Sequence, residues 1–233
     1  MFVTVLADGY TICKDAAGVA GNIFALGLFV SPIPTFRRII RNQSTEQFSG
    51  LPYVYALLNC LITMWYGTSL VSSGNLMVMT VNSMGALFQL AYIILFITYT
   101  DKDKKIRMLG LLLADFSLFA IIVACSLQIK DTEIRRIVVG SLSCCSLISM
   151  SASPLFIINL VIRTKSVEFM PFYLSLSTFL MNASFFLYGV FNRDLFIYVP
   201  NSIGTILGIV QLVLYFYYKP RRDSKEPLIA SYA

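Results

Sequence analysis

Three apolar runs of hydrocarbon length, then a fourth, then the first three again: this order constrains the chain more than any other feature. The runs cover residues 16–40, 51–72, 75–100, 106–127, 134–162, 170–191 and 194–218. Apolar runs of about 18 residues or more read as membrane spans, because a helix of about 20 residues crosses the hydrocarbon layer. Composition agrees, with 57% of the 233 residues hydrophobic and only 13% charged. The expected fold is therefore an all-α membrane protein with seven transmembrane helices. The first run has no small-residue cleavage pattern before a soluble region, so it reads as a span and not as a removable signal peptide.

The repeat is visible residue by residue. Ser31-Pro32 matches Ser153-Pro154; Arg41, Ser44 and Glu46 match Arg163, Ser166 and Glu168; Tyr66-Gly67 matches Tyr188-Gly189, all 122 residues apart. Pro52 pairs with Pro171, and Asn82-Ser83-x-Gly85 with Asn201-Ser202-x-Gly204, at a spacing of 119. A unit of three spans is odd, so two copies joined directly would face opposite ways. The unpaired fourth run restores the parallel orientation. The expectation is two parallel three-helix bundles, residues 1–100 and 131–219, joined by a linker helix at 101–130, with a short polar tail at 220–233 that is disordered. Ser72-Ser73-Gly74-Asn75 and Asn192-Arg193-Asp194 read as tight turns between neighbouring helices.

Basic residues set the orientation. Of the 18 Lys and Arg residues, 13 fall on one side, in the groups at 37–41, 102–107, 163–165 and 219–225. That side is expected to be cytosolic, which puts the N-terminus outside or in a lumen and the tail in the cytosol. Plasma membrane and vacuolar membrane fit this bias equally. The sequon Asn42-Gln43-Ser44 then lies on the cytosolic side and should carry no glycan, and Asn182-Ala183-Ser184 lies inside a span.

Several chemistries are disfavoured. Histidine is absent, which removes the commonest general base and metal ligand. The five cysteines form no C-x-x-C pair, so neither a metal site nor a disulfide framework is expected. No cofactor, catalytic set, phosphate-binding loop or nucleic-acid partner is expected, and an enzyme is not the reading. The lipid bilayer and a small molecule are the partners that remain.

Asn82 and Asn201 are the candidates for binding that molecule. An amide deep in an apolar span is costly unless satisfied. Alone, either could be interhelical glue. As a repeat-matched pair on the third helix of each half, they read as two polar jaws on a small molecule, since an amide both donates and accepts hydrogen bonds.

Pro-Thr-Phe-Arg-Arg-Ile at 34–39, Ser-Thr-Glu-Gln-Phe-Ser-Gly-Leu-Pro-Tyr at 44–53, Thr-Lys-Ser-Val-Glu-Phe-Met-Pro-Phe-Tyr-Leu-Ser-Leu at 164–176 and Tyr-Val-Pro-Asn at 198–201 resemble the plant SWEET sugar transporters (MtN3/saliva type) over nearly the whole chain. The resemblance implies the fused, double-repeat eukaryotic form, 3+1+3 in architecture, and a homo-oligomer, a trimer in the family. It assigns Asn82 and Asn201 to sugar binding. It places Phe185 where many members carry a pocket Trp, and Cys60 and Thr63 on the second-helix wall. Those two residues also fit a bland role, as small side chains easing helix contact. Trp65, Tyr66 and Phe186 are further candidates for apolar ring faces. Met150 and Met181 either line the same space or fill core. If they line it, bulky Met and Phe favour a hexose over a disaccharide.

Pro32, Pro52, Pro154 and Pro171 match the family's proline tetrad, which implies hinges for the cytosolic halves; Pro34 has no counterpart. Tyr66 and Asp194 match an outer gate, with Tyr188 in the same layer. An interfacial Tyr and a helix-start Asp are the ordinary alternatives. Asp115, near the expected cytosolic end of the fourth span, reads as a snorkelling or locally paired acid. The expected function is passive, bidirectional sugar uniport by alternating access, glucose or another monosaccharide being the substrate. Two other readings stand beside it: a proton-coupled carrier of amino acids of the PQ-loop type, which lacks a Pro-Gln pair here, and a seven-span receptor, against which the parallel repeat speaks.

Overall fold

The computed structural model describes residues 2–73 and 75–219. The tail expected to be disordered, and Gly74 in the first expected turn, lie outside the described residues. Nine helices are present among them: α1 (Phe2–Val30), α2 (Ile33–Asn42), α3 (Leu51–Tyr66), α4 (Leu76–Tyr99), α5 (Lys102–Gln128), α6 (Thr132–Met150), α7 (Ala152–Thr164), α8 (Phe172–Phe191) and α9 (Leu195–Tyr218). The pairs α1–α2 and α6–α7 are each one span with a break, so the nine helices make seven spans.

Six of these spans are long and apolar enough to cross a bilayer, and α3 is the exception. It was expected over 51–72, but its 16 residues rise only about 24 Å. The chain leaves the helix at Gly67, where a Cβ would sit 2.7 Å from the Met79 backbone nitrogen. Its shortness is tolerated because α3 is central, with Asn59 to Thr63, Trp65 and Tyr66 all buried. The first span also differs from expectation, with α1 helical from Phe2 and not from residue 16.

Proline explains the breaks. Pro32 has no N–H for the Leu28 carbonyl, one turn back. The Ser31 backbone N–H at 3.2 Å and its hydroxyl at 2.7 Å donate to that carbonyl instead. In the second repeat, α6 stops at Met150, the residue whose carbonyl Pro154 cannot serve. The break therefore lies at Ser151, and Pro154 sits in the first turn of α7, where a missing N–H is harmless. Pro52 is the second residue of α3, and Pro171 is the N-cap of α8. The loops between first and second helices also repeat. Gln43 and Lys165 both adopt left-handed backbone, with φ of 50° and 52°. The Ser44 hydroxyl then accepts the Glu46 N–H at 3.1 Å, and Ser166 accepts that of Glu168 at 3.3 Å. The shared Ser-x-Glu is thus a turn that returns the chain to the membrane.

Packing obeys the same symmetry. α4 lies along α3 and α9 along α8; α1 packs on α4 and crosses onto α8; α6 packs on α9 and crosses onto α3. Glycines permit the crossings. A Cβ on Gly18 would meet Met77 and Tyr188, and one on Gly140 would meet Phe196 and Tyr66, the repeat-equivalent pair. Gly189 meets the Tyr198 backbone nitrogen at 2.7 Å, as Gly67 meets that of Met79. α5 packs on α3, α4 and α6 and belongs spatially to the first repeat.

Two expectations are corrected here. Trp65 does not face the space between the repeats: its indole N–H donates to Ser126 Oγ of α5 at 3.0 Å. Asp115 neither snorkels nor pairs: it is buried, and its Oδ2 has no hydrogen-bond partner. Asp115 is the fourteenth of the 27 residues of α5 and so lies in mid-helix, not near an end.

The apolar core is unequal between the repeats. One cluster, including Ala25, Tyr66, Val78, Val139, Phe185 and Ile197, joins both repeats. A second, built on Phe36, Ile39, Leu57, Tyr92, Phe96 and Met108, ties α2 to α3, α4 and α5 at the Arg- and Lys-rich end, called here the basic end. Phe36 stacks on Tyr92 with ring centroids 4.6 Å apart. Among the described residues, α7 has no comparable cluster and buries only Ile158 and Val161.

Candidate functional site

Between the repeats lies a cavity of about 280 Å³, at the small end of ligand pockets. Both halves line it: Asn82 with Asn201, and four further equivalent pairs, Leu28 with Met150, Asn59 with Met181, Thr63 with Phe185, and Val78 with Ile197. Cys60 also lines it. Asn82, Asn201, Phe185, Cys60, Thr63, Met150 and Met181 are therefore brought to one space, and Trp65 and Phe186 are not.

The Asn-Ser-x-Gly motif divides its labour. Asn82 Nδ2 donates to the Val78 carbonyl at 2.8 Å, and Asn201 Nδ2 to the equivalent Ile197 carbonyl at 2.7 Å. Both amides are anchored to their own helices and donate to no other, so neither is interhelical glue. The serines bond back to their own helices, Ser83 to Met79 and Ser202 to Val199. The glycines admit the second helix: a Cβ on Gly85 would lie 2.8 Å from Cys60 Sγ, and one on Gly204 would lie 2.2 Å from Asn182 Oδ1.

Helical periodicity selects the rest. Asn59, Thr63 and Tyr66 stand at i, i+4 and i+7 on α3, and Met181, Phe185 and Tyr188 stand likewise on α8, so each trio shares a face. Phe186, expected as a ring face, is rotated by about 100° from Phe185 and does not line the cavity. Tyr188 is buried against Gly18, and the Phe185 ring meets Tyr188 edge-on at 6.3 Å.

At the end away from the basic groups the cavity is capped by a polar cluster. Tyr66 Oη donates to the Asp194 carboxylate, 2.7 and 2.6 Å from its two oxygens. Asn75 Nδ2 donates to Asp194 Oδ2 at 2.8 Å, Asn192 Nδ2 to Asn75 Oδ1 at 2.9 Å, and Arg136 Nη2 lies 3.5 Å from Asp194 Oδ2. Ser72 Oγ accepts from Asn75. Asp194 is 2% exposed, and a buried carboxylate holds only where donors and a cation compensate it. At the basic end, the Tyr55 and Ser149 hydroxyls form an exposed hydrogen bond between the repeats.

Sequence reasoning missed seven polar residues: Ser72, Asn75, Arg136 and Asn192 in the cap, and Asn59, Gln89 and Ser143 in the wall. Asn75 carried a usable signal, because it precedes Asp194 by the same 119 residues that separate Asn82 from Asn201. Asn59 stands one turn before Thr63. Ser143 Oγ donates to Thr63 Oγ1 at 3.0 Å, a contact visible only once α6 is seen to cross onto α3.

Comparison with known proteins gives a consistent picture. A family model, MtN3/saliva, described as "Sugar efflux transporter for intercellular exchange", matches residues 15–104 and 137–223; most of α5 falls between the two matches. The chain is 70% identical over 225 residues to the bidirectional sugar transporter SWEET2 of Arabidopsis thaliana, spanning 95% of each protein. It is 58% identical over 224 residues to the bidirectional sugar transporter SWEET2a of Oryza sativa subsp. japonica, spanning 96% of this chain and 92% of that one. A solved structure, "The 3.7 A resolution structure of a eukaryotic SWEET transporter", matches with a TM-score of 0.88 at 57% identity, over 90% of this chain and 98% of that one.

Proposed function

Because this chain belongs to the SWEET family of bidirectional sugar transporters, we propose that it moves a monosaccharide such as glucose passively across its membrane, with Asn82 and Asn201 holding the sugar midway. The carrying observation is that two repeat-equivalent asparagines face one cavity whose lining residues are all uncharged. With each Nδ2 engaged on its own helix, each Oδ1 is free to accept from a sugar hydroxyl. Phe185, Met181 and Met150 supply apolar surface for a ring face, Cys60 and Thr63 complete the second-helix wall, and the limited volume favours one ring over two.

An uncharged lining supplies no group to carry a proton or hold a sodium ion, which favours uniport over coupling. The polar cap of Tyr66 and Asp194 acts as the outer gate, and the basic end faces the cytosol. The structure then corresponds to a state sealed on the outer side. In the opposite state the cap parts and the repeats draw further together at the basic end, where Tyr55 and Ser149 already touch, with Pro32, Pro52, Pro154 and Pro171 at the bending points. Plasma membrane or vacuolar membrane is the proposed home, the N-terminus facing outside or lumen.

Glucose uptake into proteoliposomes with and without a pH gradient tests the reading. Equal initial rates support uniport. A rate that follows the gradient supports a proton-coupled carrier instead, and no uptake of any sugar contradicts transport.

A further inference from the structure

The two walls of the cavity are chemically unequal, although the fold that builds them is symmetric. Asn59 is 3% exposed, lines the cavity, and its Nδ2 has no hydrogen-bond partner. Its Oδ1 receives only a long contact from Thr63 Oγ1 at 3.5 Å. Gln89 lines the same cavity, and its buried Oε1 is likewise without a partner. A buried amide left without a partner is destabilising. The equivalent positions in the second repeat hold Met181 and Gly208, with nothing to satisfy. Thr63 faces Phe185 in the same way, and Ser143 adds a hydroxyl to the polar side.

Resting on the transporter reading above, we infer that Asn59 and Gln89 are substrate-binding residues that give the sugar one orientation, its hydroxyl edge on α3 and α4 and its apolar face on Met181 and Phe185. Depth supports this. Asn59 lies one turn from Thr63 toward the basic end, about 6 Å, and Gln89 lies two turns from Asn82 in the same direction, about 10 Å. With Gly85 set against Cys60, both residues lie on the basic side of the Asn82–Asn201 level, Asn59 the nearer and Gln89 the farther. The pair offers one donor and one acceptor, the complement of sugar hydroxyls, and one-sided placement lets a symmetric scaffold discriminate among the positions of an asymmetric ring.

The test is counterflow KM in proteoliposomes for glucose and each of its monodeoxy derivatives, with the full-length chain and its Asn59→Leu and Gln89→Met variants. The parent should penalise loss of particular hydroxyls. Asn59→Leu should raise the glucose KM about tenfold, equivalent to about 1.4 kcal/mol, and should erase the penalty for one deoxy position while leaving the others. Gln89→Met should erase a different one. An unchanged glucose KM and deoxy profile in both variants would overturn the inference while leaving sugar transport intact. Failure of the parent to exchange any sugar would instead overturn the reading on which it rests. If Asn59→Leu does not reach the membrane, Asn59→Ala and Gln89→Met give the same readout.

Discussion

The Asp194 carboxylate joins the two repeats while capping a helix. Its Oδ1 accepts the Phe196 backbone N–H at 3.1 Å and so starts α9, and Tyr66 of the other repeat donates its hydroxyl to the same carboxylate, 2.6 Å from Oδ2. The cross-repeat contact expected of a gate and the helix-start cap, alternatives in the sequence, are made by one carboxylate. The local cap holds the carboxylate in place, so breaking the Tyr66 bond loosens the contact between the repeats, which Asn75 also bridges, without unwinding α9.

Opening at this end is therefore expected in Tyr66→Phe. Cys60 reports it, since its thiol is buried in the cavity. In a background with Cys13, Cys125, Cys144 and Cys145 replaced by alanine, an impermeant maleimide added from the outer side should label Cys60 at least about tenfold faster in Tyr66→Phe. The size follows from losing a hydrogen bond to a charged group, about 1.5–3 kcal/mol. An unchanged labelling rate would remove the seal from the account.

The glycine crossings predict a stability pattern. Gly67→Ala and Gly189→Ala each press a Cβ to 2.7 Å from a backbone nitrogen of the next helix, which cannot turn aside as a side chain can. Each should cost about 1–3 kcal/mol and lower the melting temperature in detergent. Gly110, exposed on α5 with nothing within 4 Å, is the control. Gly110→Ala should be neutral or stabilise by up to about 1 kcal/mol. Equal melting temperatures for all three would contradict the packing.

Unequal cores predict unequal motion. α2 and α7 each bury two residues, but Phe36 and Ile39 of α2 belong to the cluster built on the Phe36–Tyr92 stack, whereas Ile158 and Val161 of α7 belong to neither cluster. Amide exchange measured by mass spectrometry should be faster in α7 than in α2, since sparse buried contacts mark the low-stability parts of a fold. Equal protection would contradict this.

For the hinges, Pro52→Ala restores an N–H in the first turn of α3 and relaxes the proline's restriction of the backbone. The expectation is a slower exchange rate with the melting temperature little changed. An unaltered exchange rate would remove Pro52 from the hinge set.

Much of this was legible in the sequence because duplication marks residues twice. Asn82 with Asn201, and the four prolines, stood out as pairs. What the repeat could not show is where the halves diverge. Asn59 against Met181 and Gln89 against Gly208 are unmatched positions, so a search for matches passes over them. Trp65 and Phe186 were misplaced for another reason: apolarity suits a lipid face, a core or a pocket alike, and only helix rotation separates them. Asp115 was placed near an end although the expected run of 106–127 already put it close to mid-span, where α5 has it. Arg136 was counted for topology alone, although it lies beside a buried carboxylate.

The central claim is that two equivalent carboxamides grip one uncharged sugar. Counterflow of labelled glucose in proteoliposomes containing Asn82→Ala or Asn201→Ala measures it most directly, with the amount of reconstituted protein matched to the parent. The account predicts that exchange falls to background in each variant while the protein still folds and inserts. Exchange at the parental rate and KM in either variant would contradict it.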